Sequence, residues 1–293
     1  MPETTFKPDT ALLFPGQGSQ TAGMRELVER FEPELLELAL DAVGVDPFEL
    51  VDVSTRFTQP AIFCASVAGW SRAGRPPASL YAGHSLGELS ALTAAGSILP
   101  ADGLILAVTR GRLMQEAAEL APGGMMALLG DGGEARAVAS SAGLVVANDN
   151  GPTQIVVAGP ADALETATAE AKARGLRSIR LAVRGAFHTP AMDAVVEPFR
   201  AALAQIAVEP PRSRVFSSTT ARPFEGDADA IRDQLASAMA RPVRWRETLL
   251  ELHRLGVRRF VEAGPGRALT GMVRRAFDGV EAAPLAEAEP AHA

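Results

Sequence analysis

The sequence predicts an α/β protein with a mainly parallel sheet, interrupted once by a smaller unit. Short apolar runs alternate with longer amphipathic stretches along most of the 293 residues. That is the pattern of strands joined by crossover helices. Glycine-rich turns end two of the apolar runs, Pro15-Gly16-Gln17-Gly18 and Gly83-His84-Ser85-Leu86-Gly87, and mark strand-to-helix turns. From Gly123 the rhythm changes to β-α-β-β-α-β, the order of a ferredoxin-like unit.

In chain order, Ala11–Phe14 is a strand and Met24–Leu40 an amphipathic helical stretch. Ser79–Ala82 is a strand, and Glu88–Ala95 and Asp102–Leu120 are helices. The inserted unit has strands at Met125–Leu129, Leu144–Ala147, Gln154–Ala158 and Leu176–Val183, with helices at Glu134–Ala142 and Ala161–Arg174. An Asn-Asp-Asn-Gly-Pro turn joins its middle strands. Then Ala191–Ala207 is a helix, Arg214–Ser218 a strand, Trp245–Leu255 a helix and Arg259–Glu262 a strand, and Gly264-Pro265-Gly266 turns into a last helix. The expected division is 1–122 with 188–280 as one discontinuous α/β-hydrolase-like domain and 123–187 as the ferredoxin-like subdomain. The Ala-, Glu- and Pro-rich 281–293 is expected to be a disordered tail.

Composition narrows the class. Hydrophobic residues make up 47% and charged residues 22%, as in an ordinary globular protein with a sizeable core. A single cysteine, Cys64, cannot form an internal disulfide or supply a metal cluster, so a reducing compartment fits. No apolar run reaches the roughly 18 residues of a membrane span, and Met1–Asp9 lacks a signal-peptide core. A cytoplasmic monomer without a membrane partner is expected. The net charge of −7 argues against a nucleic-acid partner. Arginines nevertheless crowd the C-terminal third, among them Arg244, Arg246, Arg254, Arg259, Arg267 and Arg274. They fit either the steering of an acidic partner or a solvated helix face.

Gly83-His-Ser-Leu-Gly87 is a G-x-S-x-G sequence between a strand and a helix, the setting of a nucleophile elbow. A serine there needs a base. Of the four histidines, His292 lies in the tail, His253 falls within an amphipathic helix, and His84 adjoins the serine, so its side chain should point away from the hydroxyl. His188 remains, in Ala186-Phe-His-Thr-Pro190, where the inserted unit hands back to the main domain. It lies 103 residues after Ser85, with about a third of the chain still to follow. Hydrolases place an acid and then a near-terminal histidine after the serine, so this order disfavours an esterase or thioesterase. The loop at Gln17 lacks the third glycine of a dinucleotide fingerprint and the lysine of a P-loop. It is either a plain tight turn or the source of a second oxyanion donor. Arg110 interrupts the apolar side of its helix. Pattern alone favours a surface arginine; the sharper reading is a fork for a carboxylate.

Together these pieces resemble the malonyl-CoA:acyl-carrier-protein transacylases of bacterial fatty acid synthesis, and the chain is similar to the acyltransferase domains of polyketide synthases. The resemblance runs from about Leu12 to about Ala276. Its motifs are Phe14-Pro-Gly-Gln-Gly-Ser-Gln20, Thr58-Gln-Pro-Ala61, Gly83-His-Ser-Leu-Gly-Glu88, Arg110-Gly-x-x-Met-Gln115, Ala186-Phe-His-Thr-Pro190, Pro242-Val-x-Trp245 and Glu262-x-Gly-Pro-Gly266. It implies Ser85 as acyl carrier, His188 as base, Arg110 as clamp on the malonyl carboxylate, and the N–H groups of Gln17 and Leu86 as oxyanion hole. It also implies a backbone carbonyl at Ala238 orienting the histidine, and Phe187 filling the space an α-methyl group would need. Gly185 stands where malonyl-loading polyketide domains tend to carry histidine. Malonyl-CoA is then a substrate and an acyl carrier protein the partner, with no metal or other cofactor. The alternatives are a discrete acyltransferase of a polyketide or malonate-decarboxylating system, or a serine thioesterase.

Overall fold

The computed structural model describes residues 9–288. Strand β1 (Thr10–Phe14) leads to helices α1 (Met24–Phe31) and α2 (Pro33–Val43) and the long α3 (Thr55–Arg72). Strand β2 (Leu80–Gly83) feeds α4 (Gly87–Ala94), and α5 (Pro100–Leu120) follows. The inserted unit is β3 (Gly124–Leu129), α6 (Gly132–Ser141), β4 (Val145–Gly151), β5 (Gln154–Gly159), α7 (Ala161–Ala173) and β6 (Arg177–Arg180). A 3₁₀ turn and α8 (Val196–Leu203), β7 (Arg214–Ser217), α9 (Ala228–Ser237), α10 (Trp245–Arg254), β8 (Arg259–Glu262), α11 (Ala268–Ala276) and β9 (Glu281–Pro284) complete it.

Two sheets result. Five strands in the order β7-β2-β1-β8-β9 form a wholly parallel sheet. Its inner strand β1 is buried at every residue, which is why it reads as an unbroken apolar run. The inserted unit forms a four-stranded antiparallel sheet in the order β4-β5-β3-β6. Leu128, Val138, Val157, Leu164 and Ala171 give it a core of its own under α6 and α7. The α/β class, the parallel sheet and the antiparallel insertion are as the sequence predicts.

Several expectations change. Helices α3 and α9 lie outside the sequence expectation: α9 carries only a short stripe of Ile231, Leu235 and Ala236, and α3 carries none. In α3 even Thr55, Thr58 and Gln59 are buried, so no polar face exists to set a period. Pro60 within it adds a false break signal. Met24–Leu40 is two helices, because Pro33 opens a new one at Glu32. The strand expected over Leu176–Val183 is confined to Arg177–Arg180. The disorder expected from Glu281 is wrong for its first part: Glu281–Pro284 pairs in parallel with β8 as an edge strand. Ala282 and Leu285 bury their side chains, and Arg259 pairs with Glu281 at 2.9 Å. The rest of that tail, His292 included, and the N-terminal Met1–Pro8 lie outside the described residues. No helix among the described residues is long and apolar enough to cross a membrane.

Candidate active site

Ser85 sits on the turn between β2 and α4 with φ of +55°, left-handed backbone that a serine adopts only under constraint. Glycines supply that constraint. A Cβ on Gly83 would lie 2.0 Å from the Gly87 carbonyl carbon, and one on Gly87 would lie 2.1 Å from the Phe14 oxygen. The turn is thus pressed directly onto the end of β1. His84 N–H donates to the Phe14 carbonyl at 2.9 Å, and a Cβ on Gly16 would meet the His84 oxygen at 2.5 Å. The two glycine-rich loops therefore pack against each other. The Gly264-Pro-Gly266 turn backs the first of them: a Cβ on Gly264 would strike Pro15, and one on Gly266 the Ser19 carbonyl. Buried Glu262 fixes that turn by accepting from the N–H groups of Leu269 and Thr270.

His188 comes from the junction after the small sheet, also with positive φ, +60°. Its Nδ1 lies 3.0 Å from the Ala238 carbonyl oxygen and 3.1 Å from that of Arg241. Two acceptors on one side fix the tautomer: Nδ1 carries the proton and Nε2 is left as acceptor. Nε2 stands 2.8 Å from Ser85 Oγ. Burial, and next Arg110, hold the imidazole down to about 3, so it is neutral near pH 7. The side chain at 238 is alanine and only its carbonyl is used, as the resemblance implies; the Arg241 contact has no signal in the sequence.

Arg110 is buried, contrary to its pattern, at 4% exposure. Desolvation lowers it to about 10, with the charge of Glu88 opposing that effect. Its Nη2 donates to Ser85 Oγ at 3.0 Å and its Nη1 to Gln59 Oε1 at 2.8 Å. The serine hydroxyl thus accepts from a cation and donates to a neutral imidazole. Gly111 makes the approach possible, since a Cβ there would lie 2.8 Å from the Thr55 carbonyl where α5 crosses α3. The N–H groups of Gln17 and Leu86 engage no other group among the described residues. Both residues line, with Ser85, Arg110 and His188, a cavity of about 220 Å³. Phe187 lines it too, and glycine at 185 is what accommodates its ring: a Cβ there would lie 2.5 Å from Cε1. A second cavity of about 350 Å³ shares Gln17 and Phe187 and extends past Thr55.

Residues outside the sequence prediction complete the setting. Glu88, 2% exposed, accepts from Ser217 Oγ, Ser218 N–H and Ser218 Oγ. Ser218 Oγ in turn accepts from the Ser85 N–H at 3.2 Å. Burial raises the Glu88 carboxyl, and those hydrogen bonds oppose it. His84 points away from Ser85 Oγ, as expected, and its Nε2 lies 2.8 Å from Asn150 Oδ1 on β4. His253 is half-buried in α10 and stacks on Phe277. Among the C-terminal arginines, Arg244, Arg254, Arg259 and Arg267 pair with glutamates of this chain, and Arg274 donates to the Ala282 carbonyl. Among the described residues no group of three or more His, Cys, Asp or Glu side chains stands close enough to hold a metal ion.

A serine elbow served by a neutral histidine, with a buried cation beside the hydroxyl, defines a serine-dependent acyl-transfer site. The chain belongs to the acyl transferase domain family, whose model matches residues 11–291. It is 39% identical to the malonyl CoA-acyl carrier protein transacylase of Salmonella typhimurium, covering 94% of this chain and 96% of that one. It is 39% identical to a polyketide biosynthesis protein of Burkholderia thailandensis, covering 96% of this chain but only 25% of that protein. The crystal structure of malonyl-CoA:acyl carrier protein transacylase from Xanthomonas oryzae superposes with a TM-score of 0.87 at 36% identity, covering 96% of each chain.

Proposed function

We propose that this chain transfers the malonyl group of malonyl-CoA to the phosphopantetheine thiol of an acyl carrier protein, by a ping-pong mechanism through an ester on Ser85. The observation that carries this reading is the position of Ser85 Oγ, 2.8 Å from His188 Nε2 and 3.0 Å from Arg110 Nη2. His188 Nε2 takes the Ser85 proton as Oγ attacks the thioester carbonyl. The N–H groups of Gln17 and Leu86 hold the oxygen that becomes negative. The tetrahedral intermediate collapses, and the coenzyme A sulfur leaves with the proton from His188. The carrier thiol then gives its proton to His188 and attacks the ester, and Ser85 is released and reprotonated. Arg110 offers Nη2, turned from Ser85, and the second N–H of Nη1 to the malonyl carboxylate, which would otherwise lie unpaired in a buried cleft, while its other Nη1 N–H stays on Gln59. Phe187 bounds the space beside the malonyl α-carbon.

The family likeness supports the carrier as partner, and the similarity to part of a polyketide protein favours a second reading, the same transfer onto a polyketide carrier. The test is intact-mass measurement after mixing with malonyl-CoA. The wild type gains one malonyl unit and Ser85→Ala gains none. A stable adduct formed on Ser85→Ala at the wild-type rate contradicts the assignment. Offering the malonylated protein to a fatty-acid carrier and to a polyketide carrier separates the two readings.

A further inference from the structure

The Thr58-Gln-Pro-Ala61 motif falls on α3, one turn after Thr55, and the roles above leave both unused. Arg110 Nη1 donates to Gln59 Oε1 at 2.8 Å. Gln59 Nε2 donates to Thr55 Oγ1 at 3.2 Å. Thr55 Oγ1 donates to Gln17 Oε1 at 2.7 Å. Gln59 is 1% exposed and Thr55 4%, so water does not replace the Gln59 contacts, and the chain surfaces only at half-buried Gln17. Every donor in the chain meets an acceptor, and the direction is set from its head. Arginine can only donate, which forces the Gln59 oxygen toward it and the Gln59 nitrogen toward Thr55; the threonine hydroxyl, having accepted, donates onward. Both ends reach the reacting centre, one through the guanidinium on Ser85 Oγ and the other through the loop bearing the Gln17 N–H.

The geometry points to Thr55 as a positioning residue that ties the carboxylate-reading Arg110 to the oxyanion loop at Gln17, so that the two are held in register. This rests on the roles given above to Arg110 and Gln17. Buried chains of this kind polarise one another and are costly to interrupt. The tie makes stabilisation of the oxyanion depend on where the guanidinium sits. An acyl group that engages Arg110 then acts on the Gln17 end as well.

The test uses the full chain with Thr55→Val, which keeps the shape and removes the hydroxyl, and Thr55→Ser, which keeps the hydroxyl. Each is made alone and with Arg110→Ala. Rates of self-acylation are read by intact mass with malonyl-CoA and with acetyl-CoA. Thr55→Val should slow malonyl acylation by about three- to tenfold, the scale of one hydrogen bond, and Thr55→Ser should return it to within about twofold. In the Arg110→Ala background, where the chain has lost its head, the valine penalty should shrink toward unity. A purely structural role moves neither the serine rescue nor the dependence on Arg110. No effect of Thr55→Val, or an equal penalty in both backgrounds, overturns the proposal. Failure of the clamp reading shows differently: the malonyl-to-acetyl ratio would be unchanged by Arg110→Ala alone, whatever the coupling to Thr55. If the valine protein is unfolded by circular dichroism, Thr55→Ala is measured in its place and judged by the same outcomes.

Discussion

The parallel sheet holds its part of the site by backbone, and the antiparallel sheet reaches it through side chains and a seam. Ser85 is fixed by main-chain contacts too close for any Cβ at Gly83 or Gly87, and by an N–H bond to Ser218. The small sheet has an independent core and touches the elbow through Asn150 on His84. Its strand β4 joins the segment before α10 by bonds between Asp149 and Val243 and between Val243 and Ala147, each 2.8 Å. His188 lies on that seam, held by the carbonyls of Ala238 and Arg241. Ser85 is therefore over-determined locally. His188 is placed by segments about 50 residues further along the chain. One half of the serine–histidine pair is set by a turn, and the other by how two sheets meet.

Removing the base has the largest expected effect on rate. His188→Ala should slow acylation by about 10² to 10⁴, while His253→Ala, stacked on Phe277 away from Ser85, should leave it near the wild type. Equal losses in stopped acylation assays would show that the seam does not carry the base.

The packing contrast is tested next by stability. Gly87→Ala forces a methyl against the Phe14 carbonyl and should cost about 1–3 kcal/mol or more, with loss of acylation. Gly175→Ala, at φ of +72° with nothing within 4 Å of the added carbon, should cost only the backbone strain of about 1–2 kcal/mol and leave acylation intact. Thermal melts with parallel activity assays check both, and equal costs would remove the claimed difference between the regions.

The smallest effect concerns pH. The His188 value near 3 belongs to the free protein, so kcat/KM for malonyl-CoA should stay flat from about pH 8 to about pH 5 rather than fall near the ordinary histidine value of about 6.5. Arg110→Ala removes the second cause of the depression and should move the acid limb upward. Burial also lowers His84. Below about pH 6.5 the unfolded chain therefore binds more protons than the folded one, and stability should decline as pH falls. An acid limb near 6.5 in the wild type, unmoved in Arg110→Ala, would contradict the stated environment of His188.

Legibility in the sequence follows the same division. The helices of the small sheet keep one wet face, so α6 and α7 show in the spacing of Ala135, Val138 and Ala139 and of Leu164, Ala167 and Ala171. Helix α3 has no such face, and β9 hides in a stretch whose composition suggests disorder. At the site, Ser85 announces itself because glycine is compulsory around it, and His188 emerges by elimination among four histidines. Arg110 reads as a surface residue because local pattern does not record the crossing of α3 and α5. The Gln59–Thr55–Gln17 chain and the Arg241 carbonyl are invisible for the same reason: they are contacts between distant segments made by residues of ordinary type.

The central claim is that Arg110 reads a carboxylate beside an activated Ser85, and a paired measurement tests it. Self-acylation by malonyl-CoA and by acetyl-CoA is followed on the wild type and on Arg110→Ala. Breaking a buried charge pair costs about 3–5 kcal/mol, against about 0–1 for a surface pair. Arg110→Ala should lower kcat/KM for malonyl-CoA by at least about a hundredfold, with acetyl-CoA unchanged or improved because a stranded cation has left its pocket. A malonyl-to-acetyl preference that is the same in both proteins would contradict it.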